Sequence, residues 1–198
     1  MVTLLGSSAL AILPSGSAHA TDAFTTHTNC VDKAVIKPIG RQCFYTFTDA
    51  VKYATNGEIT YAPAVSPQYG SAAWNSLIDD MSRQNMYLSA ILFSDSFAKG
   101  NGTLILERGN CTYKNSPGTI PGDMGGVFLN TIFNGYYDNH VNSGVGLNNC
   151  KLAFYADPYY SGIQTSAWPT INVDGGPLED QTTSVRVWNP NTGGGAGG

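Results

Sequence analysis

The run Cys150-Lys151-Leu152-Ala153-Phe154-Tyr155-Ala156-Asp157-Pro158-Tyr159-Tyr160-Ser161-Gly162 places one aromatic at Tyr155, a second at Tyr160 and a glycine at Gly162. An aromatic-rich strand that folds back on itself accounts for this spacing, the glycine supplying a positive φ that a side chain resists. Further on, Leu178-Glu179-Asp180-Gln181-Thr182-Thr183-Ser184 is a polar run that feeds into Val185-Arg186-Val187-Trp188. Its alternation of Val185 and Val187 with Arg186 and Trp188 is that of a loop entering a half-buried strand.

The chain carries a second version of both pieces. Leu88-Ser89-Ala90-Ile91-Leu92-Phe93 and Thr103-Leu104-Ile105-Leu106 are apolar runs about the turn Ser94–Gly102, a hairpin pattern. Phe93 stands where Tyr155 does, and Gly100 follows it by seven residues, as Gly162 follows Tyr155. The second aromatic is displaced, Phe97 coming four residues after Phe93 rather than five. Asp138-Asn139-His140-Val141-Asn142-Ser143 lines up with Glu179-Asp180-Gln181-Thr182-Thr183-Ser184. Phe93 and Asp138 are 45 positions apart, whereas Tyr155 and Glu179 are 24 apart, so the first copy carries an insertion. The stretch 109–130, with Pro117, Gly118, Pro121, Gly122, Gly125 and Gly126, is its expected place and reads as an extended loop.

Two such units resemble the βγ-crystallin family, in which aromatic, four residues, aromatic, one residue, glycine marks each motif and a later serine ties down the folded hairpin. The resemblance covers about half the chain and is more specific in the second motif. It implies a mainly β fold, a Greek-key βγ-crystallin-like sandwich, here with a small N-terminal helical segment (α+β overall). It also implies Ca²⁺, held between the motifs by the polar loops. Carried over by position, the ligands are Asn139, His140 and Asn142 from the first loop and Asp180, Gln181 and Thr183 from the second, with His140 and Gln181 acting through carbonyls. Ser94 and Ala156 follow the first aromatics and contribute backbone carbonyls. Hard Ca²⁺ favours such oxygens. Asn142 replaces a Ser/Thr, Glu179 an Asn/Asp, and Ser94 and Ala156 an acid, so binding is expected to be weak. The competing reading makes both loops simple turns, with Ser143 and Ser184 hydrogen-bonding inside the sandwich.

Upstream the periodicity changes. Thr46–Gly57 reads as a short helix capped by Thr46 or Thr48, with Asp49 in its first turn and Gly57 past its end. Residues 58–70 form a connector. Trp74, Leu77, Ile78 and Met81 make the core-facing stripe of a second helix, with Ser71 as its cap. Residues 21–45 read as loop-like. Residues 1–20, with an apolar centre and Ala18-His19-Ala20, read as a signal peptide whose start lies upstream, and the Gly-rich 191–198 as a disordered tail. The expected divisions are therefore 1–20, 21–87, 88–190 and 191–198.

Cys30, Cys43, Cys111 and Cys150 allow three disulfide connectivities in a secreted chain. The expected set is Cys30–Cys43, closing a short loop, and Cys111–Cys150, joining the two crystallin-like halves. A net charge of −4 with ten scattered Lys+Arg carries no nucleic-acid footprint, and Leu4–Leu13 and Val127–Phe133 are too short to span a bilayer. No nucleophile–base set stands out. Asp79-Asp80 suits the wet face of a helix, and His27 and His140 lie in irregular segments. The expected function is thus a secreted, non-enzymatic calcium-binding or stability module. Alternatives on the same fold are a protease inhibitor or antimicrobial toxin presenting 109–130 to an extracellular protease, and a binder of cell-wall components or carbohydrate. Tyr159 and Trp168 could stack on sugars, although packing within the hairpin is the expected role of Tyr159. Asn101-Gly102-Thr103 and Asn110-Cys111-Thr112 are glycosylation sequons.

Overall fold

The computed structural model describes residues 29–34, 40–94, 102–111, 123–129, 135, 137–166, 168–173 and 176–190. The signal-like segment 1–20, Phe97 and Gly100 of the first turn, residues 112–122 of the insertion, Asn101 and the tail 191–198 lie outside them. Among the described residues ten strands and two helices follow in order: β1 (Asn29–Lys33), β2 (Gly40–Phe44), α1 (Phe47–Ala54), α2 (Ala72–Gln84), β3 (Leu88–Phe93), β4 (Thr103–Glu107), β5 (Asp123–Phe128), β6 (Ser143–Gly146), β7 (Lys151–Asp157), β8 (Ser161–Gln164), β9 (Thr170–Asn172) and β10 (Ser184–Trp188).

The strands form two sheets, in the orders β2-β1-β4-β3-β6-β9 and β5-β10-β7-β8. The first motif supplies β3, β4, β5 and β6, and the second β7, β8, β9 and β10. Each lends its third strand to the other's sheet: β5 pairs with β10, and β9 with β6. This interlock is a Greek-key sandwich. Leu92, Leu104, Leu152, Phe154, Val185 and Val187 fill the space between the sheets.

The other face of the first sheet is also covered. Val31, Ile91, Phe93, Ile105 and Val145 pack under Phe47, Val51, Trp74, Leu77 and Met81 of the helices. Burial on both faces explains why Ala90–Phe93 is an uninterrupted apolar run rather than an alternation. Thr46 caps α1, its hydroxyl accepting from the Asp49 amide, and Asn56 and Gly57 end the helix at φ of 54° and 91°. Ser71 caps α2 through the Trp74 amide at 3.1 Å.

Two expectations are corrected. Residues 21–45 do not read correctly as a loop, since β1 and β2 pair there antiparallel and β1 runs parallel to β4. The reading failed because β1 is buried yet polar, its side chains being satisfied by distant partners. The Thr103 hydroxyl donates to Asn29 Oδ1 at 2.8 Å, the Arg108 guanidinium reaches Asp32 at 2.6 Å, and Lys33 Nζ donates to Asn56 Oδ1 at 2.6 Å. Buried polar groups persist where such partners exist. Second, 109–130 is not wholly an extended loop. Asp123–Phe128 is a strand despite Gly125-Gly126, because β10 presents an open edge that pairs with it. Tertiary pairing overrides the low strand propensity of glycine.

The expected boundary at 87/88 falls in the turn between α2 and β3. Across it, β1 and β2 complete the sheet that contains β3, and one apolar cluster draws on both sides. Cys30–Cys43 joins directly opposed residues of β1 and β2, and Cys111–Cys150 joins the chain after β4 to the start of β7. Both pairings are those expected.

Lys33 gives a pH signature. Burial lowers its pKa below the ordinary 10.5, against a smaller opposing pull from Glu107. Between the lowered folded value and 10.5 the unfolded chain holds the extra proton, so stability rises with pH there. Denaturant melts across that window should show wild-type stability climbing relative to Lys33→Met. A constant difference between the two would show that Lys33 titrates normally.

Candidate cation site between the two polar loops

The two loops follow one conformation at a constant offset of 41 positions. The Asp138 amide donates to the Gly135 carbonyl and His140 to Tyr137. In the second loop Glu179 donates to Gly176 and Gln181 to Leu178. Asn139 and Asp180, the matching residues, take left-handed φ of 57° and 50°, which Asn and Asp tolerate better than other side-chain-bearing residues. The Asn142 amide then donates to the Phe93 carbonyl at 3.0 Å and the Thr183 amide to that of Tyr155 at 2.9 Å. Each loop is thereby fixed against the first aromatic of its own motif, beside Ser94 in one case and Ala156 in the other.

The hairpin clasp is complete in the second motif. The Ser184 hydroxyl donates to the Asp157 carbonyl at 2.7 Å and accepts from the Tyr160 amide at 3.2 Å. Tyr155 and Tyr160 rings lie 5.7 Å apart. Gly162 has φ of 76°, and a side chain there would collide with the Asp157 carboxylate. Ser143, the first motif's counterpart, is buried at the start of β6.

Across the motifs the candidate ligands meet in two pairs. Asn139 Oδ1 accepts from the Thr183 hydroxyl at 3.3 Å. Asn142 faces Asp180 more tightly: its Nδ2 donates to Asp180 Oδ1 at 2.8 Å and to the Ser94 carbonyl at 3.3 Å, and its Oδ1 accepts from the Asp180 amide at 2.9 Å. His140 and Gln181 are exposed, and the His140 imidazole Nδ1 donates to the Asp138 carbonyl at 2.8 Å. Ala156 is half-buried against the inter-sheet core. Alignment alone did not single out Asp138: its Oδ1 is buried and accepts no hydrogen bond from the described residues.

The two pairs differ in fit to a cation. The Asn139–Thr183 contact presents two oxygens, since a hydroxyl can rotate its proton away, and Asp138 Oδ1, on the preceding residue, has no hydrogen-bond partner among the described residues. The Asn142–Asp180 pair presents an NH₂ to the carboxylate, and a donor cannot ligate a metal. Among the described residues no cluster of three His, Cys, Asp or Glu side chains gathers. A concavity of about 470 Å³ between α1 and β1–β2 is lined by Lys33, Phe44 and Tyr53 and shares no residue with the loops.

The strand order, the exchanged third strands and the serine clasp together define the architecture. It is a βγ-crystallin-like Greek-key sandwich. A βγ-crystallin domain from Flavobacterium johnsoniae is similar to this chain at 19% identity, over 52% of this chain and 97% of that one, with a TM-score of 0.30. No protein-family model matches the sequence, and no curated protein matches it.

Other expectations resolve here. Tyr159, at φ of 60°, is 77% exposed, and it is the Tyr160 ring that packs on Tyr155. Trp168 is also exposed, while its backbone pairs with Leu152 on β7. Asn110 of the second sequon is buried beside the disulfide of Cys111, which closes it to glycosylation in the folded chain. Asp80 of the Asp79-Asp80 pair binds Arg83 and the Tyr61 hydroxyl on the outer face of α2. No described helix is long and apolar enough to cross a membrane.

Proposed function

We propose that this chain is a secreted, non-enzymatic βγ-crystallin-type module that takes up Ca²⁺ weakly between its two loops. The observation that carries the reading is the meeting of Asn139 and Thr183 oxygens across the two motifs at 3.3 Å. The carbonyls of His140 and Ala156 would complete this set, and Asp138 would supply nearby negative charge. Two disulfides are compatible with an oxidising compartment.

A site without a directly assigned carboxylate belongs with the weakest calcium modules, with Kd of about 10⁻⁴–10⁻³ M. At a free Ca²⁺ ten times Kd, the folded state gains about 1.4 kcal/mol. For a chain of this length that raises Tm by roughly 3–6 °C. Calorimetric titration of the full chain, with melts in Ca²⁺ and in chelator, checks this. Thr183→Val should remove both the heat and the shift. A wild type that shows neither ends the calcium reading.

A further inference from the structure

The second pair, Asn142 with Asp180, has a chemistry of its own. We infer that the Asn142 carboxamide is a permanent clasp standing in for a cation, so that the Asp180 side of the paired loops is closed to Ca²⁺. The inference rests on the calcium reading of these loops.

Three bonds fix the clasp. Asn142 Nδ2 donates to Asp180 Oδ1 at 2.8 Å and to the Ser94 carbonyl at 3.3 Å, and these are the acceptors that the resemblance assigns to the ion. Asn142 Oδ1 accepts from the Asp180 amide at 2.9 Å, which determines the orientation of the carboxamide. Flipping the group to offer Oδ1 to a metal would set Nδ2 against the Asp180 N–H, donor against donor, and would turn an oxygen toward the carboxylate. The bond to Asp180 is charge-assisted, the stronger class of hydrogen bond. For Ca²⁺ to take the place that the carboxamide occupies, all three bonds must break.

The equivalent position in the other pair is Thr183, whose hydroxyl makes one long bond to Asn139 and can turn its proton away from a cation. The chain thus keeps an open oxygen cradle where it has no assigned carboxylate, and its one assigned carboxylate where the cradle is filled. Asn142 ties the first motif to the second without any ion, so this contact between motifs does not depend on calcium.

The test compares the full-length wild type with Asn142→Ser and, as a second variant in case serine disturbs the loop, Asn142→Thr. Calorimetric titration with CaCl₂ and melts with and without chelator are run on each. Either hydroxyl opens the acceptors around Asp180, so the variant should take up one more Ca²⁺ per chain than the wild type, at least tenfold tighter than any wild-type binding. One ion in the wild type and two in the variant supports the proposal and the reading beneath it. None in the wild type and one in the variant supports the proposal and removes the reading. Equal stoichiometry and affinity in all three proteins, whether one ion or none, overturns the proposal, and only the result with none also removes the reading. Two ions in the wild type overturns the proposal alone.

Discussion

Replacing Cys111 and Cys150 together by alanine should lower the stability of the folded chain by about 4 kcal/mol. The disulfide spans 39 positions, and cross-linking a loop of that length removes much of the freedom of the unfolded chain. The same relation gives about 3 kcal/mol for Cys30–Cys43, which spans 13 positions. The longer bridge also lies inside the inter-sheet core, where both its cysteines are buried. It joins the first motif to the second at the start of β7, whose pairing with β10 must form across a long stretch of chain. Urea denaturation of the two double variants, Cys111→Ala/Cys150→Ala and Cys30→Ala/Cys43→Ala, gives the comparison. The first should show the lower midpoint and a larger slope, because its unfolded state exposes more surface. If Cys30→Ala/Cys43→Ala proved the more damaging pair, loop length would not be what governs the contribution of these bridges.

Much of this architecture was legible because it is written in local pattern. The run from Leu88 to Phe93 marks a strand buried on both faces, and the Tyr155, Tyr160 and Gly162 spacing marks a folded hairpin. Ser71 and Thr46 mark helix starts, since a cap needs only a side-chain oxygen a few residues from the amide it serves. What escaped is what depends on distant partners. Asn29, Asp32 and Lys33 look like a solvated loop until Thr103, Arg108 and Asn56 are brought against them. β5 escaped because its pairing partner, β10, lies some sixty positions further along. In the candidate site, alignment placed all eight residues on the two loops and hairpins, yet could not tell an oxygen cradle from a filled one. That distinction lies in which end of the Asn142 carboxamide faces Asp180, a matter of three hydrogen bonds rather than residue type. Asp138 escaped for a related reason, because burial of one carboxylate oxygen is a property of the folded loop.

Trp74→Ala should cost about 3–5 kcal/mol, the range for emptying a large aromatic site. Trp74 is buried on α2, with its ring 5.6 Å from that of Phe93 on β3 and 6.0 Å from Tyr69. Phe93 is the first aromatic of the first motif, and its carbonyl receives the Asn142 amide. The helical layer therefore rests on the residue from which the first polar loop is hung. β1 reinforces the connection, since it pairs with β4 while its Val31 packs in the cluster that holds Trp74. A layer joined by a shared sheet and a shared core has little to gain by unfolding alone, as opening it would expose Ile91, Phe93 and Ile105 at about 25 cal/mol per Å². The expected result is one cooperative transition in both proteins, displaced to lower denaturant in Trp74→Ala and coincident by tryptophan fluorescence and far-ultraviolet circular dichroism. Two separated transitions, with only the earlier one moved by the substitution, would make residues up to 87 an independent unit. In that case the pairing of β1 with β4 would be a docking contact between two folded bodies.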